Sequence, residues 1–329
     1  MFNRFAPPSQ LSKRMHQTVD RFRHTLVTTV LTGGIALPAQ PLRHRLFGAH
    51  AAKAMLSNQH VLVTGASSGI GRAVALKVAE AGAIAVMVAR STDKLSELQA
   101  SIEQRGGRAL VYAADLSAAT SVDALIARLA ADGVVIDVLV NNAGRSIRRP
   151  IDQAYGRVHD YERTMALNYF GALRLILGLL PSMRARKQGH VINVSSAGVQ
   201  MSTPLFSAYI ASKAALDAFT RVAAGETRDD GVRFTTVHMP LVRTPMIAPT
   251  KEYSDMPTLS PEQAADIVLR ALVTHETHLG TRLASLFSLA QIVAPAAVER
   301  LLGVGYRLLA TGTQHELHDK PNVCLKRAA

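Results

Sequence analysis

The chain has no tryptophan, a single cysteine, and aromatics at only 5% of its 329 residues. One thiol, Cys324, excludes a disulfide framework and fits a reducing compartment. Acidic residues are scarce: 24 Asp and Glu stand against 37 Lys and Arg, a formal charge of +13. That surplus favours anionic ligands such as phosphate-bearing substrates or acidic lipid. The basic residues make no long run, so a solvated basic surface accounts for them equally well. No motif interleaves them with aromatics, and nucleic acid is not expected as a partner. No metal is expected either. Long apolar runs are also missing. The nearest candidate, 26–37, is interrupted by Gly33-Gly34 and ended by Pro38, too short for a bilayer span. Arg21, Arg23 and His24 precede it as in a signal peptide, but no clean small-residue cleavage site follows. A segment lying on a membrane surface or capping the core is expected instead.

What is present is enough apolar material, 48%, for one large domain with extensions. Residues 1–57 form a basic extension rich in Arg, His and Pro, with two short helices expected. The composition changes at Ser57-Asn58. From His60 onward, short apolar runs alternate with segments of helical period. Strands are expected at 60–64, 84–89, 109–112, 137–140, 190–194 and 233–237, with a short seventh at 279–283. Helices are expected at 72–81, 92–105, 118–131, 160–180 (ended by Pro181), 206–227 and from Pro261 to about 273. That alternation specifies an α/β protein: a doubly wound parallel sheet of about seven strands over 58–283, with helical extensions at both ends. Residues 284–329 read as apolar helices and a polar tail.

The run Thr64 to Gly71 lies between the first strand and the first helix. Its spacing is Gly-x-x-x-Gly-x-Gly, through Gly65, Ser67, Ser68, Gly69, Ile70 and Gly71. Glycines there permit a tight turn and close backbone approach to a pyrophosphate, and the helix N-terminus offers free N–H groups. By itself such a run is more often just a turn. Other motifs fall on the same edge of the sheet. Asn141-Asn142-Ala143-Gly144 ends the fourth strand, and Ser195-Ser196 ends the fifth. Tyr209 and Lys213, four residues apart, share one face of the following helix. Strand C-terminal ends are where open parallel sheets bind ligands.

Together with Asn168, these motifs resemble the short-chain dehydrogenase/reductase family over roughly 58–275. The resemblance implies a Rossmann sheet and a nicotinamide cofactor. It implies Tyr209 as general acid for carbonyl reduction, with the Lys213 ammonium lowering its pKa and bonding the nicotinamide ribose. Ser196, thirteen residues before Tyr209, would bond the substrate oxygen, leaving Ser195 as a strand-end residue. Asn168 would hold a water in a proton relay from Lys213. Asp115 and Leu116 match positions that contact adenine. Asn142, Ala143 and Gly144 would line the cofactor, and Pro240, Val242 and Thr244 belong to a loop over the nicotinamide. There Leu241 replaces the usual Gly, which puts the loop conformation in question. After the second strand stand Ala89-Arg90 and no carboxylate. A guanidinium at that place favours a 2′-phosphate, hence NADP(H).

Longer runs, 141–149, 162–169, 239–251 and 260–266, resemble bacterial fatty acyl-CoA reductases that form aldehydes. That resemblance implies an acyl-CoA substrate. Arg145, Arg148 and Arg149 would meet CoA phosphates, or simply make a basic loop in solvent. Met246-Ile247 and an apolar stretch at 283–289 would wall an acyl channel, or serve only as core. Two alternatives share the sequence features: a ketone or 3-oxoacyl reductase, and a non-catalytic nucleotide sensor, against which the intact Tyr209, Lys213, Ser196 and Asn168 argue. A cytoplasmic homo-oligomer with peripheral membrane contact is expected.

Overall fold

A computed structural model describes residues 52–248, 250, 253 and 256–317. The expected helices and apolar stretch upstream of residue 52, Cys324 and the polar tail lie outside the described residues.

Seven parallel strands form one sheet: β1 (His60–Thr64), β2 (Ile84–Ala89), β3 (Arg108–Ala113), β4 (Val138–Asn141), β5 (Gly189–Ser196), β6 (Val232–Met239) and β7 (His278–Leu279). Their order is β3-β2-β1-β4-β5-β6-β7. Val63 therefore pairs with Met87 on one side and Val140 on the other. The order reverses between β1 and β4, the switch point at which the two halves of a doubly wound sheet part and leave a crevice.

Alternation along each strand sends side chains to two layers. Val61 and Val63 join one core with α1 (Gly69–Glu80), α2 (Thr92–Glu103) and α8 (Pro261–Thr274). Leu62, between them, joins the other core with α3 (Ala119–Ala131), α5 (Ala172–Ala185) and α7 (Ser207–Glu226). Both faces are covered, which is why the strands read as unbroken apolar runs. The first core reaches upstream of residue 58, because Ala52 and Leu56 in a helical turn at 52–56 are buried in it.

Three details differ from expectation. The helix expected to stop at Pro181 runs on to Ala185, preceded without a break by α4 (Val158–Met165) and a π-helical turn, Ala166–Gly171. Proline removes one donor and leaves the Leu177 carbonyl without its helical partner, while Ile176 and Met183, buried on either side, anchor the helix. By length and mean hydropathy this helix, 158–185, is apolar enough to cross a bilayer; here it packs Leu175, Ile176 and Met183 into the core. The seventh strand is two residues long. Thr281 ends it by capping α9 (Arg282–Val293), its Oγ1 accepting the Ala284 N–H at 3.2 Å. β5 extends to Ser196, where α6 (Ala197–Met201) begins. The apolar helices expected after β7 are present as α9 and α10 (Pro295–Leu317), and α9 leaves Leu286, Ile292 and Val293 exposed.

Candidate active site

The strand ends converge on a cleft of about 700 Å³. At one end is the glycine turn. Gly65 takes φ +67°, a region that disfavours other residues. A Cβ on Gly71 would lie 2.4 Å from the Gly65 carbonyl oxygen and 2.6 Å from Asn142 Nδ2. Only glycine permits that approach, so Gly71 sits beneath the cleft and not in its wall. Ser68 is the N-cap of α1, yet its hydroxyl makes no capping bond. It lines the cleft with Gly65, Ser67, Gly69 and Ile70. Thr64 Oγ1 accepts the N–H groups of Asn142 and Ala143, both at 2.9 Å, and Asn142 Nδ2 donates to the Thr64 carbonyl at 2.9 Å. These bonds lock the ends of β1 and β4 together at the switch point.

Arg90 follows β2 and faces the cleft. Beyond it, Asp115 accepts from the Ser117 hydroxyl and N–H, at 2.7 and 2.9 Å. These two bonds hold its carboxyl below the usual range, helped by the charges of Arg90 and Arg145. Leu116 is pressed against Gly171 of the π turn, where a Cβ would come 2.2 Å from the Leu116 carbonyl oxygen.

The chemical end is built on β5 and α7. Ser196 caps α6, accepting the Gly198 N–H at 3.1 Å, and its hydroxyl acts on the Tyr209 phenol to lower that group's pKa. Ser195 points elsewhere: its hydroxyl donates to Asp217 Oδ2 at 3.1 Å. Lys213 is buried and donates to the Val194 carbonyl at 2.7 Å. Asn168 stands just behind the cleft wall in the π turn. It grips Arg145 through both backbone groups, at 2.7 and 2.9 Å, and donates to Ser212 Oγ at 2.9 Å. Ser212 in turn donates to the Tyr209 carbonyl at 2.7 Å. A Cβ on Gly144 would touch both Asn168 Oδ1 and Lys213 Nζ, at 3.4 and 3.5 Å. Thus Gly144, Asn168 and Lys213 meet at one point.

The expected lowering of the Tyr209 pKa is reversed. Burial pushes the phenol up, the Ser196 hydrogen bond pulls it down, and the charge of Asp217 pushes it up again. Burial lowers Lys213 to about 8, against the opposing pull of Asp217. Desolvation disfavours both charged forms and outweighs the pairwise attraction that the sequence suggests. The result keeps Tyr209 protonated, the form a general acid needs.

Sequence reasoning missed Asp217, His238 and Ser212. Asp217 was legible in one respect: it continues the spacing of four from Tyr209 through Lys213 along α7. His238 Nε2 completes the buried group at 2.9 Å from Asp217 Oδ2.

The loop after β6 is pinned by a bridge between Val242 and Leu259. Leu241 lies outside the positive-φ region, so that position does not require glycine. Pro240, Val242, Thr244 and Met246 line the cleft, and the Thr244 methyl faces Gly69. Arg145 and Arg148 also line it. Arg149 does not: its guanidinium pairs with Asp160 at 3.0 Å, beside Arg157 and Arg163 on the same carboxylate. Arg157 first, then Arg163, holds the Asp160 pKa near 2. The stretch 283–289 does not wall the cleft. Its Ala284 and Phe287 pack on Ala197 and Met201.

Comparison with known proteins places these features in context. The family model for short chain dehydrogenases matches residues 59–255. A fatty acyl-CoA reductase of Acinetobacter baylyi is 48% identical over 252 residues, 77% of this chain and 85% of the relative. A fatty acyl-CoA reductase of Mycobacterium tuberculosis is 44% identical over 248 residues, 75% of this chain and 84% of the relative. Among solved structures, a metagenomic short-chain oxidoreductase in complex with NADP is 33% identical with a TM-score of 0.58, covering 69% of this chain and 96% of that one.

Proposed function

The chain belongs to the short-chain dehydrogenase family of oxidoreductases, and we propose that it reduces long-chain acyl-CoA to fatty aldehyde with NADPH. The observation that carries the catalytic part is the meeting of Ser196, Tyr209 and Lys213 in one cleft, with Asn168 behind. The similarity to two fatty acyl-CoA reductases supports the substrate.

The cleft suits a dinucleotide. Gly71, beneath the cleft, lets the glycine turn pack against Asn142, and Gly65, Ser67 and Ser68 line the wall at the N-terminus of α1, where pyrophosphate is favoured. Arg90 would take the 2′-phosphate, and the nearby carboxylate, Asp115, is engaged by Ser117. When bound, NADPH supplies the hydride. The chain's residues handle the oxygen. Charge developing on the thioester oxygen would be met by the Ser196 hydroxyl and the Tyr209 phenol. Tyr209, held protonated by burial, gives its proton there. Lys213, one helical turn on, stabilises the phenolate left behind. The hemithioacetal then collapses: its hydroxyl proton returns to the Tyr209 phenolate as the carbon–sulfur bond breaks, leaving aldehyde and CoA thiolate. A thiolate leaves readily, so no cysteine nucleophile is needed, and the single Cys324 lies in the C-terminal tail.

The test is to incubate the protein with NADPH and hexadecanoyl-CoA while following NADPH, free thiol and aldehyde together. Equal amounts of all three changes are expected. NADPH oxidation without thiol would point to ketone or 3-oxoacyl reduction; no oxidation with any acyl-CoA would remove the substrate assignment.

A further inference from the structure

A second cavity, about 390 Å³, lies beside the first, and Thr203 and Ile210 stand in the walls of both. Its exposed wall is mostly carbon, with Arg149, Asp152, Ser202, Thr203 and Ser207 also standing in it. Ile151 lines it from the 3-10 turn after β4, Pro204 and Leu205 from the loop between α6 and α7, and Tyr306 from α10. The two loops are tied by one backbone bond, Arg149 N–H to the Leu205 carbonyl at 2.7 Å. Leu205 is held at φ +75°, a sparsely populated region for leucine. Backbone strain of this kind collects at ligand-binding sites. Ile151 is 56% exposed, a large apolar surface left open on the groove.

These facts fit one ligand. Ile210 follows Tyr209 directly, so the partition between cavities begins next to the reacting carbonyl. Arg145 and Arg148 line the main cleft, where a CoA phosphate group would be attracted. A hydrocarbon leaving the carbonyl needs a carbon-lined path, and the stretch 283–289 does not provide one. We propose that the groove between Ile151, Leu205 and Tyr306 holds the distal hydrocarbon of the acyl substrate, with Ile210 at its entrance. This rests on the acyl-CoA reading above and names where that substrate's chain lies. Each methylene buried there strengthens binding by roughly fourfold, so the groove sets a preference for long chains.

The test fills the groove from its exposed side. Ile151→Trp occupies the space with little risk to the core, and Tyr306→Ala opens the opposite wall. Two quantities are read: the ratio of kcat/KM for hexadecanoyl-CoA to that for butanoyl-CoA, and calorimetric binding of hexadecanoate as an unreactive probe. Ile151→Trp is expected to lower the ratio at least tenfold and to weaken hexadecanoate by a similar factor. Tyr306→Ala is expected to move the best chain length upward. Wild-type ratio and wild-type hexadecanoate affinity in both variants would overturn the proposal. If wild type releases no thiol from any acyl-CoA, the acyl-CoA reading fails separately. The probe still decides the groove: saturable hexadecanoate binding lost in Ile151→Trp supports it, and binding unchanged in that variant overturns it.

Discussion

His238 Nε2 and Asp217 Oδ2 lie 2.9 Å apart, both buried behind the strand end that carries Ser195 and Ser196. The same oxygen accepts from Ser195, while Asp217 Oδ1 and His238 Nδ1 have no partner among the described residues. A carboxylate placed there acts on the site through its field, since it raises the pKa of both Tyr209 and Lys213. Asp217, Lys213 and Tyr209 occupy successive turns of one face of α7, which is why a single side chain reaches both.

Asp217→Asn keeps the shape and removes the charge. Reduction needs neutral Tyr209, so activity is lost as pH rises through that group's pKa. Without the carboxylate that pKa falls, and so does the value near 8 for Lys213. The alkaline limb of kcat/KM is therefore expected to shift to lower pH. A profile that superimposes on wild type would rule out an electrostatic role for Asp217.

Tyr209→Phe removes the proton donor, with its contact to Ser196, and keeps the ring. A loss of about 10²–10⁴ in kcat is expected, with NADPH binding by fluorescence nearly unchanged. Ser196→Ala should cost about 10²–10³ in kcat. Ser195→Ala loses a buried bond to Asp217, worth about 1 kcal/mol of stability, and should leave kcat much closer to wild type. The opposite order of the two serine variants would reassign the substrate-facing hydroxyl.

Arg90→Ala tests the cofactor. Charge-assisted hydrogen bonds to a phosphate contribute about 1.5–3 kcal/mol, or roughly 10- to 150-fold in affinity. Binding of NADPH should weaken by that factor and binding of NADH should hardly change. Equal use of both cofactors by wild type would remove Arg90 from the argument.

His190 supplies a stability prediction. Burial pushes its pKa down to about 3, with the His275 and Arg233 charges adding to the effect. Its Nε2 bonds Thr235 Oγ1 at 2.9 Å. The folded state holds the ring neutral, whereas the unfolded chain protonates it near pH 6.5. Stability is therefore complete above about 6.5 and declines as pH falls toward 3, at up to about 1.4 kcal/mol per pH unit. In His190→Leu, denaturant melts between pH 6.5 and 4 should show a flatter slope; His275, also shifted down by burial, retains part of it. An unchanged slope would place the acid sensitivity elsewhere.

Much of the fold is legible in the sequence because its causes are local. Runs such as Val61-Leu62-Val63 and Ile84 to Ala89 are apolar at every position, as a strand covered on both faces must be. Gly65, Gly69 and Gly71 mark a turn whose backbone tolerates nothing else. Tyr209 and Lys213 share a helix face by spacing alone. Local signals failed where a tertiary partner overruled them. Pro181 reads as a helix end, but α5 continues to Ala185, with Ile176 and Met183 buried in the core on either side of the proline. The apolar stretch 283–289 reads as an acyl wall or as core, and only its packing on Ala197 and Met201 decides for core.

The amino-acid order by itself determined the layered sheet, the glycine turn and which residue types stand at the strand ends, since periodicity and backbone sterics act over a few neighbours. Only the tertiary structure shows why Ser196 and not Ser195 acts on the phenol, because the two are adjacent in sequence and separate only when Asp217 claims Ser195. It also decided the direction of the Tyr209 pKa, since desolvation depends on everything packed around the ring. And it turned Arg149 from the cleft to Asp160. These outcomes depend on distances between residues far apart in the chain, which no local pattern encodes.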